Sequence, residues 1–359
     1  MTREGDAASV TERIFDVVIL GGGAAGWACA AALCTDGFAC AVLARPDKRR
    51  PVGEYLPPEG VDALTTLGLF DVLDNQAHRA SSGVLSLWGA ALPARNDVLL
   101  QPGGRAFCLD RPTFERDLRR RALDAGAAHV VSRGAPVVGG EPGGWRIGPG
   151  RSGAETVAAK YLIDATGRAA SLARALGARV IRHDRLAGVV AFCEAAPVAD
   201  GALRVESLTG GWCYAAPLSG DRLVAAHLTD VDLLPAASAA RRAHVLSSLR
   251  GSELVGAILP PAEAGRADWR ILFAGSQVTE PSGGDGWAAI GDAAMAFDPL
   301  ASAGLTKALL DIRETRSAIS SSFASLGSAR ALRYAGYRQA LALVYDSERR
   351  FIGPFWAGR

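Results

Sequence analysis

One stretch near the start of the chain limits the fold more than any other. Asp16-Val17-Val18-Ile19-Leu20 is a short apolar run that reads as a buried strand. Gly21-Gly22-Gly23-Ala24-Ala25-Gly26 follows without a gap, residues 27–33 are Ala-rich and helix-prone, and residues 39–43 form a second apolar run. Strand, G-x-G-x-x-G, helix and strand in this order are the dinucleotide-binding fingerprint in its required context. Gly21 permits the tight turn, Gly23 lets a pyrophosphate approach the backbone, and Gly26 lets the helix pack close to the strand. The helix start at Ala24 and Ala25 then presents free N–H groups and a positive dipole end to the phosphates. The acid that ends the second strand of such a unit and holds the ribose hydroxyls is missing, because Ala44 and Arg45 stand there. Either another group takes the ribose or adenosine binding is weaker than usual, and Arg45 is kept as a cofactor-binding candidate.

At 359 residues the chain exceeds most single cores, so two domains are expected. A hydrophobic content of 49% with 21% charged residues is that of a globular protein in water. The net charge of +2 gives no reason to expect nucleic acid or an acidic partner. Of the 39 basic residues only Lys48, Lys160 and Lys307 are lysines, a bias of high-GC coding that discounts any counting of arginines. The first 13 residues are polar and lack a signal-peptide core. Residues 24–44 are apolar enough to imitate a membrane span, yet Thr35-Asp36-Gly37 divides them into halves too short to cross. Cysteines 29, 34, 40, 108, 193 and 213 show no C-x-x-C spacing, and the five histidines form no H-x-x-x-H pair. Buried thiols in a reducing, cytoplasmic compartment, no metal site and no membrane contact are therefore expected.

Along the chain, residues 46–58 form a polar, Pro-rich loop containing Gly53-Glu54-Tyr55-Leu56-Pro57, and a helix is predicted over about 59–67. Strands are predicted at 84–87 and 98–100, and Arg111-Pro112 opens a helix carrying Phe114, Leu118 and Leu123 inward. Short strands follow at 130–131, 137–138, 145–147 and 156–157, and Tyr161-Leu162-Ile163-Asp164 is another buried strand. Residues 180–229 alternate over long strands, which predicts an antiparallel sheet; 231–259 reads as helical, 287–290 as a parallel-type strand, and 302–326 and 329–347 as two amphipathic helices. The predicted architecture is α/β. A discontinuous nucleotide-binding domain (1–75, 103–175, 270–359) interleaves with an antiparallel-sheet substrate domain (76–102, 176–269), and their junction is the expected ligand site.

Three motifs carry a family resemblance. Joined to the first glycine loop, Asp164-Ala165-Thr166-Gly167 after one buried strand and Gly291-Asp292 after another resemble the FAD-binding motifs of flavoprotein monooxygenases of the p-hydroxybenzoate hydroxylase type. The resemblance implies a Rossmann-like domain of the glutathione-reductase type holding FAD, with Asp164 and Gly167 near the cofactor, Asp292 on a ribityl hydroxyl and Arg111 close by. Within that group the chain looks most like the flavin-dependent halogenases. Gly211-Trp212-Cys213-Tyr214-Ala215-Ala216-Pro217 is similar to G-W-x-W-x-I-P. Phe297-Asp298-Pro299-Leu300-Ala301-Ser302-Ala303-Gly304 is similar to F-x-x-P-x-x-S-x-G, one residue short between Phe and Pro, and Gly53-Glu54 followed by Pro57 also fits the branch, which implies Glu54 as a cofactor-binding residue. Pro299, Ser302, Ala303 and Gly304 would line the isoalloxazine at a helix N-terminus, where unpaired N–H groups stabilise negative charge on reduced flavin. Trp212 and Tyr214 would wall the substrate cavity, and the same residues would serve equally as core aromatics of the sheet.

The departures decide the expected chemistry. Halogenases of this branch relay oxidised halide through a lysine that would fall in residues 70–92, where there is none, and use a glutamate where Ala301 stands. The subgroup resembled most closely comprises the flavoproteins that mature quinone cofactors in lysine and glycine oxidases. Asp298-Pro299-Leu300, Gly304, Lys307-Ala308-Leu309, Ser347-Glu348-Arg349-Arg350-Phe351 and Phe355-Trp356 carry that likeness. It implies oxygenation of a tryptophan side chain in a quinoprotein oxidase precursor, with a flavin reductase or NAD(P)H as electron source. A small-molecule hydroxylase or halogenase is one alternative, and a non-catalytic chaperone of an oxidase precursor is another. No catalytic base is identified; His78, His227, Glu54 and Asp298 are the polar residues in plausible segments.

Overall fold

The computed structural model describes residues 13–46, 52–132, 137–141, 144–148, 156–260, 267–319 and 324–347. The residues before 13, Glu348 to Phe351 and Phe355-Trp356 lie outside them. The nucleotide-binding unit forms as the first glycine loop requires. The strand Arg13–Leu20 pairs in parallel with Cys40–Ala44 on one side and Val157–Asp164 on the other, in registers Val17↔Cys40 and Val17↔Tyr161. Ala128–Val131 extends the parallel sheet beyond Cys40–Ala44, and Trp287–Ala289 extends it beyond Val157–Asp164. A hairpin, Val137–Glu141 with Gly144–Gly148, flanks the long middle strand, which begins at Val157 and not at the separate short strand predicted for 156–157.

The helix Ala24–Thr35 is apolar on every side and buried on almost every side. It packs against the sheet and is covered by the helices Arg111–Asp124 and Gly304–Ile319, which is what an all-round apolar helix demands. Its run of alanines keeps these neighbours close.

The second layer is a seven-stranded sheet in the order Asp268–Phe273, Leu186–Glu194, Arg222–Asp230, Gly211–Leu218, Leu203–Leu208, Gly83–Leu87, Ala94–Asp97. All its pairs are antiparallel except Leu203–Leu208 with Gly83–Leu87, which is parallel in register Leu203↔Val84. Alternation assigns its two faces. Val189, Cys213, Ala215, Leu223 and Ala225 pack under the helix Ser238–Gly251 through Val245 and Leu249. Val190, Trp212, Ala216, Val224, Ala226 and Leu228 face the nucleotide-binding layer.

Several expected elements are corrected. Residues 98–100 form a single 3-10 turn, and the strand there is Ala94–Asp97; Leu99 and Leu100 are 79% and 87% exposed, so their apolar character buries nothing. Residues 231–259 break into a turn and two helices, Ser238–Gly251 and Glu253–Gly256. The last two helices are Gly304–Ile319 and Ala324–Ser347. Arg179–Arg182 leaves the large sheet and pairs with Gln277–Glu280. Asp268–Phe273 crosses the boundary placed between 269 and 270, and its whole length pairs with Leu186–Glu194. Among the described residues no helix is long and apolar enough to cross a membrane.

Candidate functional site

The junction of the two layers holds a cavity of about 370 Å³, lined by segments far apart in sequence. Its floor begins at the first glycine loop. Gly21 has φ +118°, and a Cβ there would lie 2.2 Å from the Ala165 carbonyl oxygen; a Cβ on Gly26 would lie 1.9 Å from the Gly21 carbonyl oxygen. Both glycines therefore serve backbone packing. Gly23 precedes the helix in an extended conformation without a side-chain cap, and Gly23, Ala24 and Ala25 line the cavity. The orphan N–H groups of that helix are thus offered to a ligand. Arg45 is exposed and outside the lining, and the Ala44 methyl lies against Gly22.

Asp164 is reassigned. Its carboxylate is fully buried and turned into the chain: Oδ1 accepts from the Thr166 N–H at 2.9 Å and the Thr166 hydroxyl at 2.7 Å, and Oδ2 accepts from the Ala173 N–H at 2.8 Å. It fastens the corner that brings Ala165, Gly167 and Arg168 to the cavity and does not line it. Burial raises its pKa above the ordinary carboxylate range.

The second half of the floor runs from 291 to 305. Gly291 has φ +60° and its N–H donates to Asp311 Oδ2 at 2.9 Å. Asp292 meets Arg168 Nε at 3.5 Å, and both line the cavity. Asp298 Oδ1 accepts from the Leu300 N–H at 2.9 Å and shapes the turn Pro299–Ala301. Ser302 then adopts the left-handed conformation, φ +48°, and turns the chain into the helix Gly304–Ile319. Pro299, Ser302, Ala303 and Gly304 all reach the cavity, and Ala301 points to solvent. Beneath this floor lies a cluster that sequence reading missed. Asp311, fully buried, is approached by Lys307 Nζ at 3.5 Å, Arg330 Nε at 3.8 Å and Arg333 NH1 at 3.4 Å. Asp311 and Lys307 sit four apart on one helix, a signal present in the sequence; the arginines arrive from the helix Ala324–Ser347, which nothing local reveals.

The sheet supplies the roof. Trp212 and Tyr214 share the inward face of Gly211–Leu218, with rings 6.1 Å apart, and both line the cavity. Val190, Leu203, Val205, Ala226 and Leu228 add an apolar strip that alternation predicts but motif matching did not single out. The loop holding Glu54 and Tyr55 closes one wall, beside Arg111 and Glu115. Arg111 donates to the Gly53 carbonyl at 2.8 Å and pairs with Glu115 at 2.9 Å. Glu54 is buried, Tyr214 donates its hydroxyl to Oε2 at 3.3 Å, and burial pushes the Glu54 carboxyl up to about 7. Burial and the neighbouring Glu54 hold the Tyr214 hydroxyl well above its ordinary value. His227 faces the helix side of the sheet next to His244, with burial lowering it to about 4, and His78 accepts from the Asp110 N–H at 3.2 Å; neither lines the cavity. Of the four polar candidates the cavity takes Glu54 and Asp298.

This arrangement suits a flavin dinucleotide. An uncapped helix start, a left-handed Gly291 wedged against Ala25 and Ala308, and a second helix start at Gly304 converge on one apolar-roofed space. LodB of Marinomonas mediterranea, named as an FAD-dependent oxidoreductase, is 26% identical over 356 residues, with 96% of each chain covered. The myxobacterial chondrochloren halogenase CndH superposes with a TM-score of 0.83 at 21% identity, over 96% of this chain and 85% of that one. The peptidyl tryptophan dihydroxylase QhpG, essential for tryptophylquinone cofactor biogenesis, superposes with a TM-score of 0.74 at 26% identity, over 97% of this chain and 78% of that one. A model of the FAD binding domain family matches residues 15–245, more than half the chain: the protein belongs to that family and is a flavin-dependent oxidoreductase with FAD as its cofactor.

Proposed function

We propose that this protein is an FAD-dependent monooxygenase that oxygenates a tryptophan side chain in a partner polypeptide, the precursor of a quinone-cofactor oxidase, in a reducing cytoplasm. One observation carries the reading: the flavin loops and the aromatic wall of Trp212 and Tyr214 share a single cavity, and no lysine is among its described lining residues. Lys307 lies beneath the floor, spent on Asp311. A substrate ring in this space can meet the cofactor directly, with no lysine among the described lining residues to carry an oxidised halide. The likeness to QhpG over nearly the whole chain supports the same substrate class.

Gly23, Ala24 and Ala25 would hold the pyrophosphate, Asp292 the ribityl chain, and Pro299, Ser302, Ala303 and Gly304 the isoalloxazine. When bound and reduced by a flavin reductase or NAD(P)H, FAD supplies the activation of dioxygen and the transferable oxygen atom. The helix start at Gly304 stabilises negative charge at its end. Trp212 and Tyr214 orient the incoming ring, and the apolar strip from Val190 to Leu228 keeps water from the reacting atoms.

The test is co-expression with a candidate oxidase precursor, with and without this protein, followed by intact and peptide mass spectrometry. A gain in steps of one oxygen on a single tryptophan, dependent on this protein, is expected. A precursor that matures equally well without it would end the reading, and oxygenation of free indoles alone would move it to a small aromatic substrate.

A further inference from the structure

The first glycine loop leaves one place without a side chain at the adenosine end of the cofactor's seat. In a fold of this type the adenosine ribose lies beside that loop, and an acid at the end of the second strand holds its hydroxyls. Ala44 ends that strand here, and Arg45 after it is exposed. The place itself is sharply bounded. A Cβ on Gly22 would lie 2.6 Å from the Ala44 Cβ and 3.3 Å from Trp27 Nε1. The bare Gly22 backbone, the Ala44 methyl and the N–H edge of the Trp27 indole therefore enclose one spot.

Trp27 is held to face it. Its backbone N–H donates to the Gly23 carbonyl at 3.0 Å, which ties the residue to the loop that meets the pyrophosphate. His129 stands edge-on to the indole with ring centroids 5.4 Å apart, and the Arg119 guanidinium lies 5.6 Å from the Trp27 ring centroid. Arg119 also reaches His129 Nδ1 at 3.2 Å, so the two groups that bracket the indole brace each other. Trp27 is only 3% exposed, yet its indole N–H meets no hydrogen-bond acceptor among the described residues. The indole nitrogens of Trp88 and Trp212 are sealed from the surface, and that of Trp27 is not. A buried, braced ring with an accessible and unspent donor points to an acceptor on a ligand.

We propose that Trp27 takes the place of the missing acid: its indole N–H donates to a hydroxyl oxygen of the FAD adenosine ribose. The polarity of the contact is reversed. A carboxylate accepts from ribose hydroxyls, an indole N–H can only donate, and a hydroxyl serves either partner. A neutral hydrogen bond is weaker than one to a charged group, so the adenosine half is held less firmly than an acid would hold it. The inference rests on FAD as the cofactor and is independent of what the protein oxygenates.

Flavin binding, read by fluorescence, tests this with four probes: FAD, FMN (which lacks the adenylate half), and two FAD analogues whose adenosine ribose lacks the 2′- or the 3′-hydroxyl. The wild type is expected to bind one analogue roughly 3- to 10-fold more weakly than FAD, the worth of one neutral hydrogen bond. Trp27→Phe keeps an aromatic ring and removes the donor. It should weaken FAD by the same factor, leave FMN unchanged, and bind that analogue as tightly as FAD, because the partner of the hydroxyl is already gone. Arg45→Ala should discriminate among the probes as the wild type does. Equal binding of FAD and both analogues by the wild type overturns the proposal, and this arm needs no variant to fold. A Trp27→Phe protein that still discriminates, or that loses FMN as much as FAD, overturns it by making Trp27 a packing residue. Discrimination lost in Arg45→Ala and kept in Trp27→Phe overturns it by giving the ribose to Arg45.

Discussion

Single residues around the cavity divide into those that shape backbone and those that face the open space. Gly21 belongs to the first kind. Gly21→Ala forces a Cβ to 2.2 Å from the Ala165 carbonyl oxygen at φ +118°. The strained backbone alone costs about 1–3 kcal/mol, so a lower thermal midpoint is expected even without cofactor. Gly23 belongs to the second kind: Gly23→Val is expected to fold, shown by an unchanged circular dichroism spectrum, and to lose FAD, shown by absorbance after reconstitution. Glu54 carries a stability signature of its own. Its folded pKa of about 7 exceeds the ordinary 4.5, so the folded protein holds an extra proton between those values and loses stability as pH rises through that window. Glu54→Gln escapes the loss, and in denaturant unfolding of the FAD-free protein it should gain about 3 kcal/mol on the wild type at pH 8 and almost nothing at pH 4. The roles of Gly21 and Gly26 were legible because spacing and backbone sterics fix them. That of Asp164 was not, since Asp-x-x-Gly reads the same whether the carboxylate faces a ligand or, as here, its own Thr166 and Ala173 amides. That Arg111 forms its ion pair with Glu115 and not with Glu54 is a choice made in three dimensions.

Between elements, the floor of the cavity is held up by charge. Asp311 accepts from the Gly291 N–H and gathers Lys307, Arg330 and Arg333, while Arg330 also donates to the Ala289 carbonyl at the end of the last parallel strand. Asp311→Ala leaves Lys307 and Arg330, which have almost no access to water, without that carboxylate, an effect of about 3–5 kcal/mol. It also frees the Gly291 loop, so both the unfolding midpoint and FAD affinity should fall; an unchanged FAD dissociation constant would show that the loop is fixed by its other contacts. The helix Gly304–Ile319 was foreseen from its amphipathic pattern, and the turn before it from the Pro-Ser-Gly spacing. The strand predicted at 98–100 failed because a short apolar run signals burial only if a partner element meets it, and Leu99 and Leu100 meet none among the described residues.

At the scale of the whole molecule, the two layers were readable from periodicity, with continuous apolar runs in the parallel sheet and alternation in the other. The parallel joint between Gly83–Leu87 and Leu203–Leu208 was not, because register between strands more than a hundred residues apart leaves no local trace. With no lysine among the described residues of the cavity wall, supplying FAD, a flavin reductase, chloride or bromide and a set of indoles should yield no halogenated product by mass spectrometry. A halogenated product at turnover rates would require an oxidised halide to travel without that relay. The pairing of Trp287–Ala289 with the middle strand Val157–Asp164 has a consequence for how the protein is made. On the ribosome, the glycine loop and its helix are translated first, and the opposite wall of the cofactor's seat follows some 250 residues later. Until the segment around residue 304 has left the exit tunnel, the nascent chain can offer FAD only half a seat. Cofactor loading therefore waits for that segment, and a message truncated before it yields a chain that carries the glycine loop without a complete seat for the cofactor.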